Sequence, residues 1–369
     1  MKLILLRNNL LEGLFSTERV INDNVNLPIL KNILLKANNS KITITATNLN
    51  LAINHNISGK IVESGEVTVP HNILNNIIKN LNTEKVSLEK KNKQLNIITD
   101  NYEAVIEGQE SKDFPIIPLI QNQKQHLKID VSVFKSSLQN VINSTQFSDI
   151  RPEISGIFLQ LYEDGLKLVA TDSFRLAEKK LNTNLFESNI KENAVIIPLK
   201  TAQELLRVLK ENDQKLWIFI EPNQILFKTD SLEITSHLID GRFPDYEPII
   251  PKTLIGEATL DRNELINAVK LTSVFSGRIN DLILKTGENK KFLEIYSASS
   301  MTGENRYKIP IKLKGDKFSV VFNWHYLLEG LKIFNGEEII LGVNAHDKPA
   351  LIKDQNQTDL IYVLMPIKV

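Results

Sequence analysis

Cysteine is absent from the 369 residues, which excludes disulfides and thiolate metal ligands at once. No apolar run approaches the roughly 18 residues that a bilayer-spanning helix needs, and the opening MKLILL is cut short by Arg7, Asn8 and Asn9, so neither a membrane span nor a secretory leader is expected. A surplus of one charge is also missing, since 44 Lys and Arg stand against 44 Asp and Glu. The thirds of the chain are similarly balanced, with 14 basic and 12 acidic residues in 1–126, 15 and 18 in 127–254, and 15 and 14 in 255–369. A protein that grips nucleic acid through many phosphates carries a basic stripe, because released counterions supply the affinity. This composition argues against tight phosphate-driven binding.

Catalytic signatures are scarce too. The six histidines (His55, His71, His126, His237, His325, His346) form no HExxH, and neither a phosphate loop nor GxGxxG occurs. Asp172, Asp240 and Asp245, with Arg175 and Arg242 nearby in sequence, could in principle hold a divalent metal for phosphodiester cleavage. Asp172-Ser173 and Asp240-Gly241 are ordinary turn pairs, however. No cofactor or metal is expected, and a non-catalytic role is preferred to a nuclease or a plain peptide-binding scaffold.

What the chain does have is 42% hydrophobic residues, enough for two or three domains. Zero cysteine fits a reducing cytoplasm. The stretch GLKLVATDSFRLAEK from Gly165 alternates apolar and polar residues, then breaks at Thr171-Asp172-Ser173, as a strand running into a shaped loop does. Its pattern recurs. Ala46-Thr47-Asn48, Ala170-Thr171-Asp172 and Ala298-Ser299-Ser300 each end a strand; VTVPHNILNNIIKNL, VIIPLKTAQELLRVL and SVVFNWHYLLEGLKIF each run a strand into a helix; Phe114-Pro115, Phe243-Pro244 and Met365-Pro366 each close a unit. The helices should bury Ile73, Leu74, Ile77 and Leu81; Ala202, Leu205, Leu206 and Leu209; and Trp324, Leu327, Leu328 and Leu331. Earlier helices are expected over Asn8–Asn22, Asp130–Phe147 and Asp261–Phe275.

A period near 125 residues is too long for a solenoid turn, so each unit should be a domain: 1–126, 127–254 and 255–369. Two helices and several antiparallel strands per unit read as α+β, with helices on one face of a sheet.

LPILKNILL (Leu27 to Leu35), VATDSFRLA (Val169 to Ala177), DGRFPDYEPIIP (Asp240 to Pro251) and the terminal YVLMPIKV resemble the family of bacterial DNA polymerase III beta subunits, the sliding clamps. The resemblance covers the whole chain in order. It implies the DNA clamp fold: three similar domains per chain, two chains head to tail in a ring, and helices lining a hole that encircles duplex DNA. Partners would be a second copy, double-stranded DNA, and the polymerase alpha subunit, clamp loader, other polymerases and repair proteins, whose short peptides enter a hydrophobic pocket. A closed ring stays on DNA without gripping phosphates, which accounts for the charge balance.

Carried over by motif, that pocket comprises Ile154, Thr171, Ser173, Phe174, Arg175, Leu176, Pro244, Ile249, Pro349, Val363, Met365, Pro366, Ile367, Lys368 and Val369. A Met beside prolines makes an adaptable cleft, and Arg175 with the terminal carboxylate would fix a peptide backbone. Ring closure points to Ala104 and Ile106 facing Val274 and Phe275. Candidate DNA-facing residues are Asn24, Asn72, Lys79, Lys135, Lys200, Arg207, Lys270 and Lys332. The chain departs from the family where Asn24 and Asn72 replace basic residues, where Pro152 and Glu153 replace aromatics, where Ser173-Phe174 replaces Gly-His, and where Glu247-Pro248 replaces residues that are often basic.

Overall fold

The structure, a computed structural model, describes residues 1–21, 27–38, 40–118, 120–210 and 213–368. It contains two compact units. One is made of Met1–Ser132, Phe186–Ile190 and Gln203–Leu238, the other of Val133–Leu185, Lys191–Ala202 and Ile239–Val369. Neither unit is one repeat: the middle repeat contributes strands to both.

Six α-helices occur among the described residues, two per repeat: α1 (Arg7–Thr17), α2 (His71–Asn80), α3 (Val131–Ile142), α4 (Leu199–Val208), α5 (Arg262–Thr272) and α6 (Trp324–Lys332). The first helix of each repeat stops short of its expected end. Ser16 and Thr17 turn their hydroxyls back onto carbonyls three and four residues earlier, a competition that closes helices. Beyond α5, Ser273–Phe275 tightens into a 3₁₀ turn. In α2 the buried face is His71, Leu74 and Ile78, and the expected Ile73 is 46% exposed. The strand enters the helix without a loop, and the 3.6-residue period then selects those three positions.

Among the described residues all the strand pairing is antiparallel. The first unit has a five-stranded sheet, in the order Gly59–Glu63, Lys2–Leu6, Lys85–Lys91, Gln94–Ile98, Glu103–Glu107. Its nine-stranded sheet runs Phe186–Ser188, Leu127–Asp130, Lys215–Ile220, Gln224–Lys228, Leu232–His237, Leu51–Ile57, Lys41–Thr47, Asn32–Asn38, Gly65–Pro70. The second unit repeats the scheme: nine strands in the order Asn193–Pro198, Gly156–Tyr162, Gly165–Thr171, Arg175–Asn182, Leu360–Leu364, Ala350–Asp354, Glu338–Val343, Gly256–Asp261, Lys312–Gly315, and four in the order Gly303–Pro310, Phe292–Ser299, Asp281–Thr286, Ser319–Asn323.

Each nine-stranded sheet is stitched across a repeat joint by one ladder. Leu51–Ile57 pairs with Leu232–His237, placing Ala52 opposite Thr235, and Arg175–Asn182 pairs with Leu360–Leu364, placing Leu176 opposite Val363. Helices support the same joints. Arg207 of α4 donates to the carbonyls of Phe15 and Ser16 at the end of α1, and Asn140 of α3 donates to the Ile333 carbonyl after α6 at 2.9 Å. These bonds satisfy helix-end carbonyls that have no intrahelical partner.

Candidate partner-binding site

The strand Gly165–Thr171 ends in a turn that its own side chains define. Asp172 Oδ1 accepts from the backbone N–H groups of Phe174 and Arg175, each at 3.0 Å. Thr171 Oγ1 accepts from Ser173 N–H at 3.2 Å and donates to the Arg175 carbonyl at 2.7 Å. Ser173 is held at φ 77°, a left-handed conformation that costs energy in a residue with a Cβ and that these bonds offset. Arg151 Nη1 adds a bond to Ser173 Oγ at 2.7 Å. The turn drives the Phe174 ring outward, where it is 57% exposed.

Arg175 points the other way. Its Nε donates to Asp172 Oδ2 at 3.0 Å, its Nη1 to Glu329 of α6, and its guanidinium lies 4.3 Å over the Tyr326 ring. Burial opposes the charge, but the Tyr362 phenol, Glu329 and Asp172 outweigh it and hold the pKa above the ordinary value. The sequence reading gave this arginine a peptide backbone to hold. In the structure it is committed inside the protein, because a buried guanidinium needs its donors satisfied, and it braces the loop against α6. Asp172, a candidate metal ligand in the enzyme reading, is spent on the same brace.

The chain's last strand, Leu360–Leu364, lies beside Arg175–Asn182. Beyond it Met365 donates its N–H to the Phe174 carbonyl, and Ile367 to the Val321 carbonyl, both at 2.8 Å, so the tail is laid down by backbone bonds. Ile154, Leu176 and Val363 are buried in one apolar cluster with Val169, Ile196, Leu351, Phe243 and Tyr246. Around them Pro244, Pro349, Met365, Pro366 and Ile367 are half-buried, while Ser173, Phe174, Ile249 and Lys368 are exposed. Thr171 is buried under the turn, and Val369 lies outside the described residues. The result is an apolar floor with a partly open apolar rim.

Phe243 and Tyr246 carry the GRFPDY segment across this floor. Phe243 stacks on Phe158 at 4.7 Å between centroids, and Tyr246 donates its hydroxyl to Glu178 at 2.5 Å. Burial, then the bond to Glu178, raises the Tyr246 pKa and keeps the phenol protonated. Sequence reasoning missed Tyr326 and Glu329, which meet Arg175, and Glu178, which meets Tyr246, because each partner lies far away in the chain.

The residues assigned to ring closure are placed differently. Glu103–Glu107 is an edge strand, but Ile106 is buried in its own unit, Ala104 is half-buried, and the exposed side chain is Val105, at 52%. This corrects the expected outward pair, since strand alternation sends Ile106 to the core. Val274 is 71% exposed and Phe275 half-buried in the 3₁₀ turn after α5. The opposite free edge, Gly303–Pro310, was also missed, though Ala298-Ser299-Ser300 marks the strand before it.

Among the candidate DNA-facing residues, Asn72 and Lys79 on α2, Lys200 on α4, Lys270 on α5 and Lys332 on α6 are exposed, and Lys135 on α3 is half-buried. Asn24 lies outside the described residues. Arg207 is corrected: besides its two carbonyl bonds it pairs with Glu204 at 2.7 Å and lies 4.7 Å from the Phe15 ring.

Three family models match the chain in succession: "DNA polymerase III beta subunit, N-terminal domain" over residues 1–118, "central domain" over 128–245 and "C-terminal domain" over 247–368. The "Beta sliding clamp" of Synechococcus elongatus is 27% identical over 374 residues, covering 100% of this chain and 99% of that protein. The DNA polymerase sliding clamp of Bacillus subtilis superposes with a TM-score of 0.94 at 24% identity, covering 100% of this chain and 99% of the other. A Pseudomonas aeruginosa sliding clamp (DNA polymerase III subunit beta) solved bound to griselimycin superposes with a TM-score of 0.94 at 25% identity, covering 100% of both chains.

Proposed function

This chain belongs to the family of the DNA polymerase III beta subunit, the beta sliding clamps, and is a processivity clamp for that polymerase; we propose that it works as a ring closed from two head-to-tail copies around duplex DNA. Its contribution is topological rather than catalytic. The site is cytoplasmic replication, where a loop of protein on DNA prevents the polymerase from diffusing away.

The observation that carries the ring is the pair of free sheet edges. At both internal joints the strand after the Thr-Asx turn pairs with the last strand of the next repeat. The third repeat's equivalent strand, Gly303–Pro310, and the first repeat's equivalent last strand, Glu103–Glu107, are the edges left over. Long free edges are a liability unless something covers them. Transferring the internal register puts Gly303 of one copy opposite Ile106 of the next, Glu304 opposite Val105, and Arg306 opposite Glu103. Leu271, Val274 and Met301, exposed in the second unit, would be covered at the same joint.

The apolar floor beneath Phe174 and Met365 is the peptide-docking pocket in this reading. It would receive an extended segment from the polymerase, the clamp loader or repair proteins, because a short disordered peptide needs a desolvated anchor to offset its ordering cost. Lys79, Lys135, Lys200, Lys270 and Lys332 are read as weak contacts to the duplex, loose enough to permit sliding.

Retention on circular DNA tests the function. The chain should sediment at about twice 41.9 kDa, stay on nicked circles once loaded, and be lost when the circle is linearised. Equal retention on linear and circular DNA, or a monomer at micromolar concentration, would overturn the ring.

A further inference from the structure

We propose that the first unit holds a second ligand site, a cleft between the ends of Lys41–Thr47 and Leu232–His237 that takes an extended peptide anchored by an uncharged, hydrogen-bonding side chain. It lies outside the tail pocket and goes beyond the function proposed above, resting on that reading only for the class of ligand. The basis is a turn repeated bond for bond. Asn48 Oδ1 accepts from Asn50 N–H at 3.0 Å and Leu51 N–H at 2.8 Å, as Asp172 does from Phe174 and Arg175. Thr47 Oγ1 accepts from Leu49 N–H and donates to the Leu51 carbonyl, both at 3.0 Å, and Leu49 is held at φ 76° where Ser173 is at 77°. His237 donates its N–H to the Asn50 carbonyl at 2.8 Å, the bond that Met365 makes to Phe174.

A cavity of about 130 Å³ opens at this turn, room for one side chain. Its walls occupy the positions of the tail pocket but change the chemistry. Thr235 stands for Val363, His237 for Met365, Gln224 for Pro349 and Asn50 for Phe174, with Pro115 in the place of Pro244. Among the described residues, the Asn50, Thr235 and His237 side chains have no hydrogen-bond partner, and Gln224 spends its Nε2 on Glu221, leaving its Oε1 to accept. Among the described residues no Lys, Arg, Asp or Glu lines the cleft, while Leu49, Ile117 and the 94% exposed Ile116 edge it. An aliphatic anchor would strand those polar groups away from water, and a charged one would find no counter-charge; an amide or hydroxyl side chain pairs with them.

The test titrates acetyl-Gln-Leu-amide and acetyl-Leu-Leu-amide into the full chain with methyl-labelled Ile and Leu. The glutamine peptide should shift the Leu49 and Ile117 methyl resonances saturably and more tightly than the leucine peptide. Thr235→Val and His237→Ala should each weaken it about threefold to tenfold, the effect of one lost hydrogen bond, and removal of the residues from Met365 onward should leave it unchanged. The proposal is overturned if those methyls do not move, if both peptides bind alike, or if only the truncated chain loses binding. Peptide binding at the tail pocket is read separately at the Ile249 and Ile367 methyls, so the two readings fail independently.

Discussion

Tyr362 packs so closely on Gly330 that a Cβ on the glycine would lie 2.3 Å from the ring's Cε1. The contact sets α6 against the final strand, and the Tyr362 hydroxyl completes it by donating to the Tyr326 carbonyl at 2.8 Å. Gly330→Ala should therefore cost about 1–3 kcal/mol by overpacking. Thermal unfolding would show the loss as a lower midpoint.

Arg175 and Asp172 form a buried pair, and removing Asp172 leaves the guanidinium to Glu329 alone and the Phe174 and Arg175 N–H groups without their acceptor. Asp172→Ala should destabilise by about 3–5 kcal/mol and weaken partner-peptide binding, because Phe174 and the carbonyl that holds Met365 lose their anchor. Denaturant titration measures the first effect and fluorescence anisotropy with a labelled peptide the second. Unchanged peptide affinity would refute the coupling of turn to pocket.

Deleting the chain from Met365 onward should abolish peptide binding and leave the dimer intact, since the free edges lie elsewhere. Peptide anisotropy and sedimentation together check this. Binding that survives the deletion would rule out the pocket as placed.

In the proposed ring, Arg306 of one copy faces Glu103 of the next. Arg306→Glu should weaken the dimer, and adding Glu103→Arg should restore it, while neither change should alter the unfolding free energy of the monomer by more than about 0.5 kcal/mol. Sedimentation equilibrium over a concentration series reads the recovery. Failure of the double variant to recover would exclude the transferred register.

His55 and His71 are both buried, and burial lowers each pKa below the ordinary 6.5. His55 Nδ1 lies 2.5 Å from Ser16 Oγ, whose hydroxyl donates to the Glu12 and Gly13 carbonyls and so accepts from the imidazole, and His71 Nε2 lies 3.0 Å from the Leu14 carbonyl, to which its N–H donates. The unfolded chain binds protons at these residues more readily than the folded one. Stability should thus be full above pH 6.5 and fall as pH drops below it. Urea midpoints at several pH values check the slope, which should flatten in a His55→Gln, His71→Gln chain.

The repeat was legible in the sequence because it rests on local marks: strand alternation, the Thr-Asx turns at Thr47 and Thr171, and helices entered directly from a strand. The helix pairs follow from it, whereas the strand pairing across the two joints does not. Exposure was harder to read. Ile106 and Val105 are adjacent and equally apolar, and only the register of Glu103–Glu107 on Gln94–Ile98 decides which one faces out. Long-range commitments were not legible at all. Arg207 and Arg175 look like free cations in sequence, and their partners, Phe15 and Glu329, lie 192 and 154 residues away.

Gly303–Pro310 and Glu103–Glu107 are unlike edges, so the proposed bond of one to the other is heterologous, with a different surface contributed by each side. Such a bond carries no information about when to stop. In the proposed ring the edge pairing itself does not fix how many copies close it, so a substitution that alters the angle at which one edge meets the other would yield a different subunit count or open filaments.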